Sequence, residues 1–158
     1  MRLFNRPKPS TVSELFDEKT FYQRFLLDLK HSRKEVIIEC PYITSSRMEM
    51  LYPTLEHLLT RKVQIYIVTR DPVDHRDEYM RYQATNEIMH CNELGINTIL
   101  MTGYHHRKLA LIDRSVLWEG SLNILSQSYS REIMRRVGEG EWAQKMFDFL
   151  QMKELLKS

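Results

Sequence analysis

The sequence predicts an α/β domain with a mixed, mostly parallel central sheet and helices on both faces. Three observations predict it: short β-branched runs, helix-period segments between them, and a strand, helix, strand order in the first half of the chain. With 158 residues the chain suits one core, burying roughly two-thirds of the surface its unfolded form exposes. We expect a linker or tail over residues 1–15, where Pro7, Pro9, Ser10 and several charges show no period, and one domain over 16–158.

Each element follows from its own pattern. From about Glu18, Phe21, Phe25, Leu26 and Leu29 recur at helical spacing, so DEKTFYQRFLLDLKHS reads as an amphipathic helix with acidic residues in its first turn. EVIIEC (35–40) and VQIYIV (63–68) read as strands, and SSRMEMLYPTLEHLLTR between them as a helix capped by Ser45 or Ser46. Pro53 is placed as the first-turn proline of a later helix start. This order makes a βαβ unit with parallel pairing. A second helix over Glu78 to Leu94 ends at Gly95 and leads into the strand INTILM. RKLALID and SVLWEG form a hairpin or tight meander beside the parallel strands. A last helix, from about Glu141 to Leu156, offers Trp142, Met146, Phe149 and Leu150 on one side.

Composition excludes more than it selects. Lys and Arg number 23 against 21 Asp and Glu, a net charge of +2, so any polyanion site must be local. Cys40 and Cys91 have neither the spacing of a disulfide framework nor that of a zinc knuckle and read as reduced structural thiols. No stretch approaches the ~20 apolar residues needed to cross a bilayer, and the N-terminus lacks a signal-like apolar run. The expectation is a cytoplasmic protein without stable membrane association.

The stretch GYHHRKLALIDRSVLWEGSLN carries polar residues that hydrophobic patterning does not explain. Along a strand, the period of two puts His106, Lys108 and Ala110 on one face and Arg107, Leu109 and Leu111 on the other. An imidazole and an ammonium projecting together suit a phosphate: a ring nitrogen attacks phosphorus, and the cation steadies charge on the non-bridging oxygens. Ser121 and Asn123 share a face across the hairpin and add neutral donors, while Gly120 lets the backbone come close.

His106-x-Lys108-x4-Asp113 followed by Gly120-Ser121-x-Asn123 resembles the phospholipase D superfamily, whose motif is His-x-Lys-x4-Asp with a downstream Gly-Ser-x-Asn. The resemblance is close over the motif and looser elsewhere, through element order and CPYITSSR after the first strand. It implies a phospholipase D-like fold, a histidine nucleophile, a covalent phosphohistidine and no metal or other cofactor. His106 then corresponds to the nucleophile, Lys108, Ser121 and Asn123 to phosphate ligands, and Asp113 to a structural partner of the motif backbone. The resemblance also implies a downstream acid that orients the histidine, for which Glu132 is the candidate. A second histidine must protonate the leaving oxygen and then activate water. Because the chain has one motif copy, we expect a homodimer in which two copies of His106 meet at the two-fold axis. The small single-motif members of the superfamily are nucleases, so the leading expectation is a nuclease on DNA or RNA. The alternatives are a phospholipid hydrolase or phosphatidyl transferase, and a non-catalytic nucleic-acid-binding module of a larger helicase- or ATPase-like protein.

Other polar residues are weighed against plainer roles. His105 faces away from His106 and reads as a packing histidine; a metal site with His75 or His90 finds no ligand pair at helical spacing. Arg131, Arg135 and Arg136 are either a solvated helix face or a track for the substrate backbone. Arg47, Arg70 and Tyr42 follow strand ends where a parallel sheet opens its crevice. Trp118 and Trp142 are assigned to the core.

Overall fold

The computed structural model describes residues 12–126, 128–138 and 140–158. Its elements run β1 (Val12–Asp17), α1 (Phe21–His31), β2 (Glu35–Glu39), α2 (Ser45–Thr60), β3 (Gln64–Arg70), α3 (Glu78–Leu94), β4 (Asn97–Met101), β5 (Leu109–Ile112), β6 (Val116–Gly120), β7 (Ile133–Gly138), α4 (Trp142–Phe149) and α5 (Met152–Leu155). A short 3-10 turn at Pro72–Asp74 links β3 to α3. The strands form one seven-stranded sheet in the order β1-β7-β6-β5-β2-β3-β4.

The mixed sheet with helices on both faces is the architecture expected from the sequence, with a different balance of pairings. β2, β3 and β4 pair in parallel, whereas β2 with β5, β5 with β6, β6 with β7 and β7 with β1 are antiparallel. Most pairings are therefore antiparallel, because β7 and β1 extend the hairpin side. Neither was read as a strand: Val12–Asp17 falls mostly in the expected tail, and Ile133–Gly138 carries Arg135 and Arg136, read as either a helix face or a track for the substrate backbone. The rest of that tail, 1–11, lies outside the described residues.

Side-chain alternation divides the core into two layers. Val36, Ile38, Ile65, Ile67, Ala110, Ile112 and Trp118 pack under α1, α2 and α3. Ile37, Val68, Leu109, Leu111, Leu117 and Val137 pack against α4 and α5. Trp118 is fully buried and donates its indole N–H to Asp28 at 2.8 Å, which satisfies the polar end of the ring. Among the described residues no helix is long and apolar enough to cross a membrane.

Several boundaries move for identifiable reasons. Helix α1 starts at Phe21 with no acidic residue in its first turn, since Asp17 closes the preceding turn by accepting from the backbone of Lys19 and Thr20. Thr44 takes the N-cap of α2, and Pro53 lies inside that helix rather than at a new start. Its missing N–H faces solvent, where water can satisfy the freed carbonyl. Gly95 ends α3 at φ 95°, as the C-cap pattern predicted. The last helix breaks where Gln151 turns left-handed, and it buries Ala143, Phe147 and Met152. Trp142, expected in the core, is 52% exposed, and Phe149 from the same side of the helix is 83% exposed.

Candidate active site

The topology brings the two halves of the motif to one edge of the sheet. Because β5 runs antiparallel to β2, and β6 and β7 alternate beyond it, Glu39 registers with Leu109, Leu109 with Glu119, and Gly120 with Met134. The start of β5, the ends of β2 and β6 and the start of β7 therefore coincide. His106 and Lys108 lead into β5 at this edge, Ser121 and Asn123 leave β6 beside them, and Tyr42, Arg70 and Glu132 follow or precede the neighbouring strands.

Lys108 Nζ lies 2.9 Å from His106 Nδ1 and donates to the His106 carbonyl at 2.9 Å. An ammonium can only donate, so Nδ1 accepts and the neutral ring carries its proton on Nε2. The charge of Lys108, aided by partial burial and by Arg70 and His105, holds the His106 pKa below the ordinary histidine value of 6.5. Burial in turn lowers the Lys108 pKa. The imidazole is thus neutral at neutral pH, the state a nucleophile requires, with a cation beside it.

The other expected site residues divide into two groups. His106, Lys108, Gly120, Ser121, Arg131 and Arg135 line one open cleft together with Ile133 and Phe149. Ser121 Oγ accepts from Ile133 N at 3.0 Å, tying the motif turn to β7. A Cβ on Gly120 would sit 2.1 Å from the Ile133 carbonyl oxygen, so only glycine allows this approach. Arg135 is paired with Glu119, while Arg131 is exposed. Asn123 stands on the inner side, with its Oδ1 3.9 Å from Cys40 Sγ. Burial pushes that thiol up to about 11, so it stays protonated.

Glu132 and Arg47 lie in a neighbouring pocket with Glu18 and Tyr22. Glu132 accepts from Ser130 Oγ at 2.5 Å, and its charge acts on Lys108; among the described residues no hydrogen bond joins it to His106. Arg47 stacks over the Tyr22 ring at 3.8 Å. Tyr42 stands edge-on to His106, with ring centroids 6.4 Å apart. Arg136 turns away from the cleft onto Asp28 and Glu14.

Comparison with known proteins agrees with this fold. Residues 26–151 match the family model described as cardiolipin synthase, PLD-like domain. The chain belongs to this PLD-like family. Among solved structures it is similar to NucT from Helicobacter pylori, with TM-score 0.74 and 16% identity over 94% of this chain and 97% of that one. It is also similar to Nuc from Salmonella typhimurium, a phospholipase D family member, with TM-score 0.68 and 15% identity over 89% and 92% of the two chains. Phosphatidylserine synthase from Haemophilus influenzae shares the fold at TM-score 0.69 and 13% identity, over 92% of this chain but 38% of that longer one. No curated protein sequence gives a significant match.

Two features of this PLD-like site escaped sequence reasoning or gain a definite place. Glu39 is fully buried at the end of β2, on the face opposite His106. It accepts from Arg107 Nε at 2.6 Å, and His105 Nε2 lies 3.0 Å from the same oxygen. Arg107, which follows His106, is thereby held from beneath, while Arg70 donates to the His105 carbonyl at 2.8 Å. The signal was a charge inside an otherwise apolar strand run. Asp113 lies at the far end of β5. It accepts from the backbone of Arg33, Lys34 and Glu35 at 2.8–2.9 Å and from Ser32 Oγ at 3.2 Å. Burial raises its pKa, but these four donors together outweigh it and leave the carboxyl below its ordinary value.

Proposed function

We propose that the chain is a metal-independent phosphodiesterase acting on DNA or RNA, working as a homodimer through a phosphohistidine on His106. The observation that carries this reading is the neutral imidazole held 2.9 Å from the Lys108 ammonium on an open edge. In that resting arrangement neither ring nitrogen offers a free lone pair: Nδ1 is engaged by Lys108 and Nε2 bears hydrogen. A bound phosphodiester resolves this, since its oxygens attract Lys108 away from the ring. Glu132, whose charge already acts on Lys108, is the acid available to hold the ring proton on the other nitrogen.

The ring nitrogen then attacks phosphorus, the bond to the leaving oxygen breaks, and that oxygen takes a proton from the partner subunit's His106. The same partner ring next removes a proton from water, whose oxygen displaces His106 from phosphorus. Two identical histidines must therefore differ by one proton. The lowered pKa supplies the neutral one, and the charge of the bound phosphodiester favours protonation of the other. Support for a two-fold neighbour comes from apolar groups beside the cleft: Phe149 is 83% and Ile133 65% exposed. Support for a nucleic-acid substrate comes from size, since NucT and Nuc are covered over 97% and 92% of their lengths.

Cleavage of labelled DNA and RNA in EDTA, with phosphatidylglycerol vesicles assayed in parallel, tests the reading. Nucleic-acid cleavage that survives chelation and is absent from His106→Ala is the expected result. Lipid turnover alone would replace it with the phosphatidyl alternative. Wild type refolded together with increasing His106→Ala should lose activity as the square of the wild-type fraction if each site needs two histidines. A linear loss would sink the shared site.

A further inference from the structure

We propose that the pocket on the other side of Tyr42 from His106 is a subsite for one unstacked nucleobase of the substrate strand, a reading that rests on the nuclease assignment above. The pocket has a volume of about 530 Å³ and opens between the 3-10 turn, the start of α3 and the loop before β5. Tyr42 is common to both sites: its ring is 6.4 Å from that of His106 and stacks at 5.4 Å on His75. A base placed here belongs to a nucleotide next to the phosphate under attack.

Three properties of the walls select a base over other ligands. Aromatic surface is offered without being used by the fold, since Tyr104 at the mouth is 92% exposed, and base stacking on such rings tolerates any sequence. The charges balance, with Arg70 and Arg76 set beside Asp74 and Asp77; a second phosphate site would need a cationic excess, and an acyl chain an apolar lining. Each carboxylate spends one oxygen on the fold, Asp74 on Gly103 N and Asp77 on Met80 N, and each has a second for an amino group. The third property is unmet hydrogen bonding. His75 is only 4% exposed, yet among the described residues its Nε2 has no hydrogen-bond partner, and neither has the buried Arg70 Nε. Burial and the Arg70 charge keep the His75 ring neutral, able to donate to or accept from a base edge.

A base inside a duplex is paired and stacked, so filling the pocket requires a single strand or an extruded nucleotide. The subsite therefore makes the enzyme prefer unpaired substrate. The test compares wild type and Tyr104→Ala, a surface change that leaves the core intact, on single-stranded oligonucleotides carrying one abasic residue at successive positions. Wild type should show a KM raised on the order of 10- to 100-fold when the abasic residue adjoins the cleaved bond, the range expected for one lost stacking contact, with kcat less affected. Tyr104→Ala should already show this raised KM on the intact strand and no further loss from the abasic residue. Equal KM for intact and abasic strands in wild type would overturn the subsite while leaving the nuclease reading intact. Wild type that hydrolyses a simple aryl phosphodiester but no nucleic acid would overturn both.

Discussion

The two ends of strand β5 carry the two halves of one motif and are built in opposite ways. At the Asp113 end one carboxylate meets three backbone N–H groups and a hydroxyl, and the Asp113 N–H closes back onto Glu35 O at 2.8 Å. At the His106 end a cation leans on an imidazole, other cations stand near, and the chain leading to Leu109 is outside the strand ladder. Complete satisfaction fixes a structure and leaves nothing for a ligand to gain. Incomplete satisfaction weakens a structure, and a bound phosphodiester can supply what is missing. The four residues of β5 thus separate stability from function.

The largest effect should come from His106→Ala. Removing the proposed nucleophile should lower kcat by about 10⁴-fold or more, while thermal unfolding shows a Tm close to that of wild type, because the exposed ring adds nothing to the core. A variant that loses activity only in proportion to lost folded protein would erase the contrast between the two ends. Asp113→Ala should do the reverse. It strands three backbone donors and should cost about 2–4 kcal/mol in chemical denaturation, with kcat per folded molecule within a few-fold of wild type. Asp113 also carries a pH signature. Its folded pKa is depressed, so its contribution is present above the ordinary 3.8 and is lost as pH falls from there through the lower folded value. Stability measured across that window should fall in wild type with a slope that Asp113→Asn reduces.

Glu39→Gln probes how the open end is propped. The amide keeps the shape but loses the charge that holds Arg107. Because Arg107 is partly exposed and can turn to water, the stability loss should be modest, about 1–2 kcal/mol. A kcat reduced about ten-fold at nearly constant KM is expected, since a small displacement of a nucleophile costs that much or more. An equal change in both constants would make Glu39 a structural residue alone.

What the sequence made legible follows the same contrast. The period of two placed His106 and Lys108 on one face, and Gly95 and the β5–β6 hairpin were readable because local chemistry dictates them. Strands β7 and β1 were not, since IMRRVG and VSELFD lack a clean alternation and form only because β6 offers an edge to pair with. The last helix had the right period but the wrong buried stripe. Trp142 and Phe149 lie on the stripe the period picks out, yet the sheet takes Ala143 and Phe147 instead. Patterning measures how apolar a stripe is, and it does not say whether this chain or a second copy covers it. Glu39 was passed over because a run of strand residues was read for its apolar majority.

The finest test concerns the charge on the nucleophile itself. Lys108 is the largest cause of the low His106 pKa, ahead of burial, and Arg70 follows burial. Titrating the His106 ring proton by NMR in Lys108→Met should therefore move its midpoint upward, toward 6.5. Arg70→Met should move it the same way by less, although that variant also frees the His105 carbonyl. The order matters more than the size. If Arg70 shifts the ring more than Lys108 does, the resting contact between Lys108 and Nδ1 is not the arrangement in solution, and the tautomer argument for phosphate-triggered release fails with it.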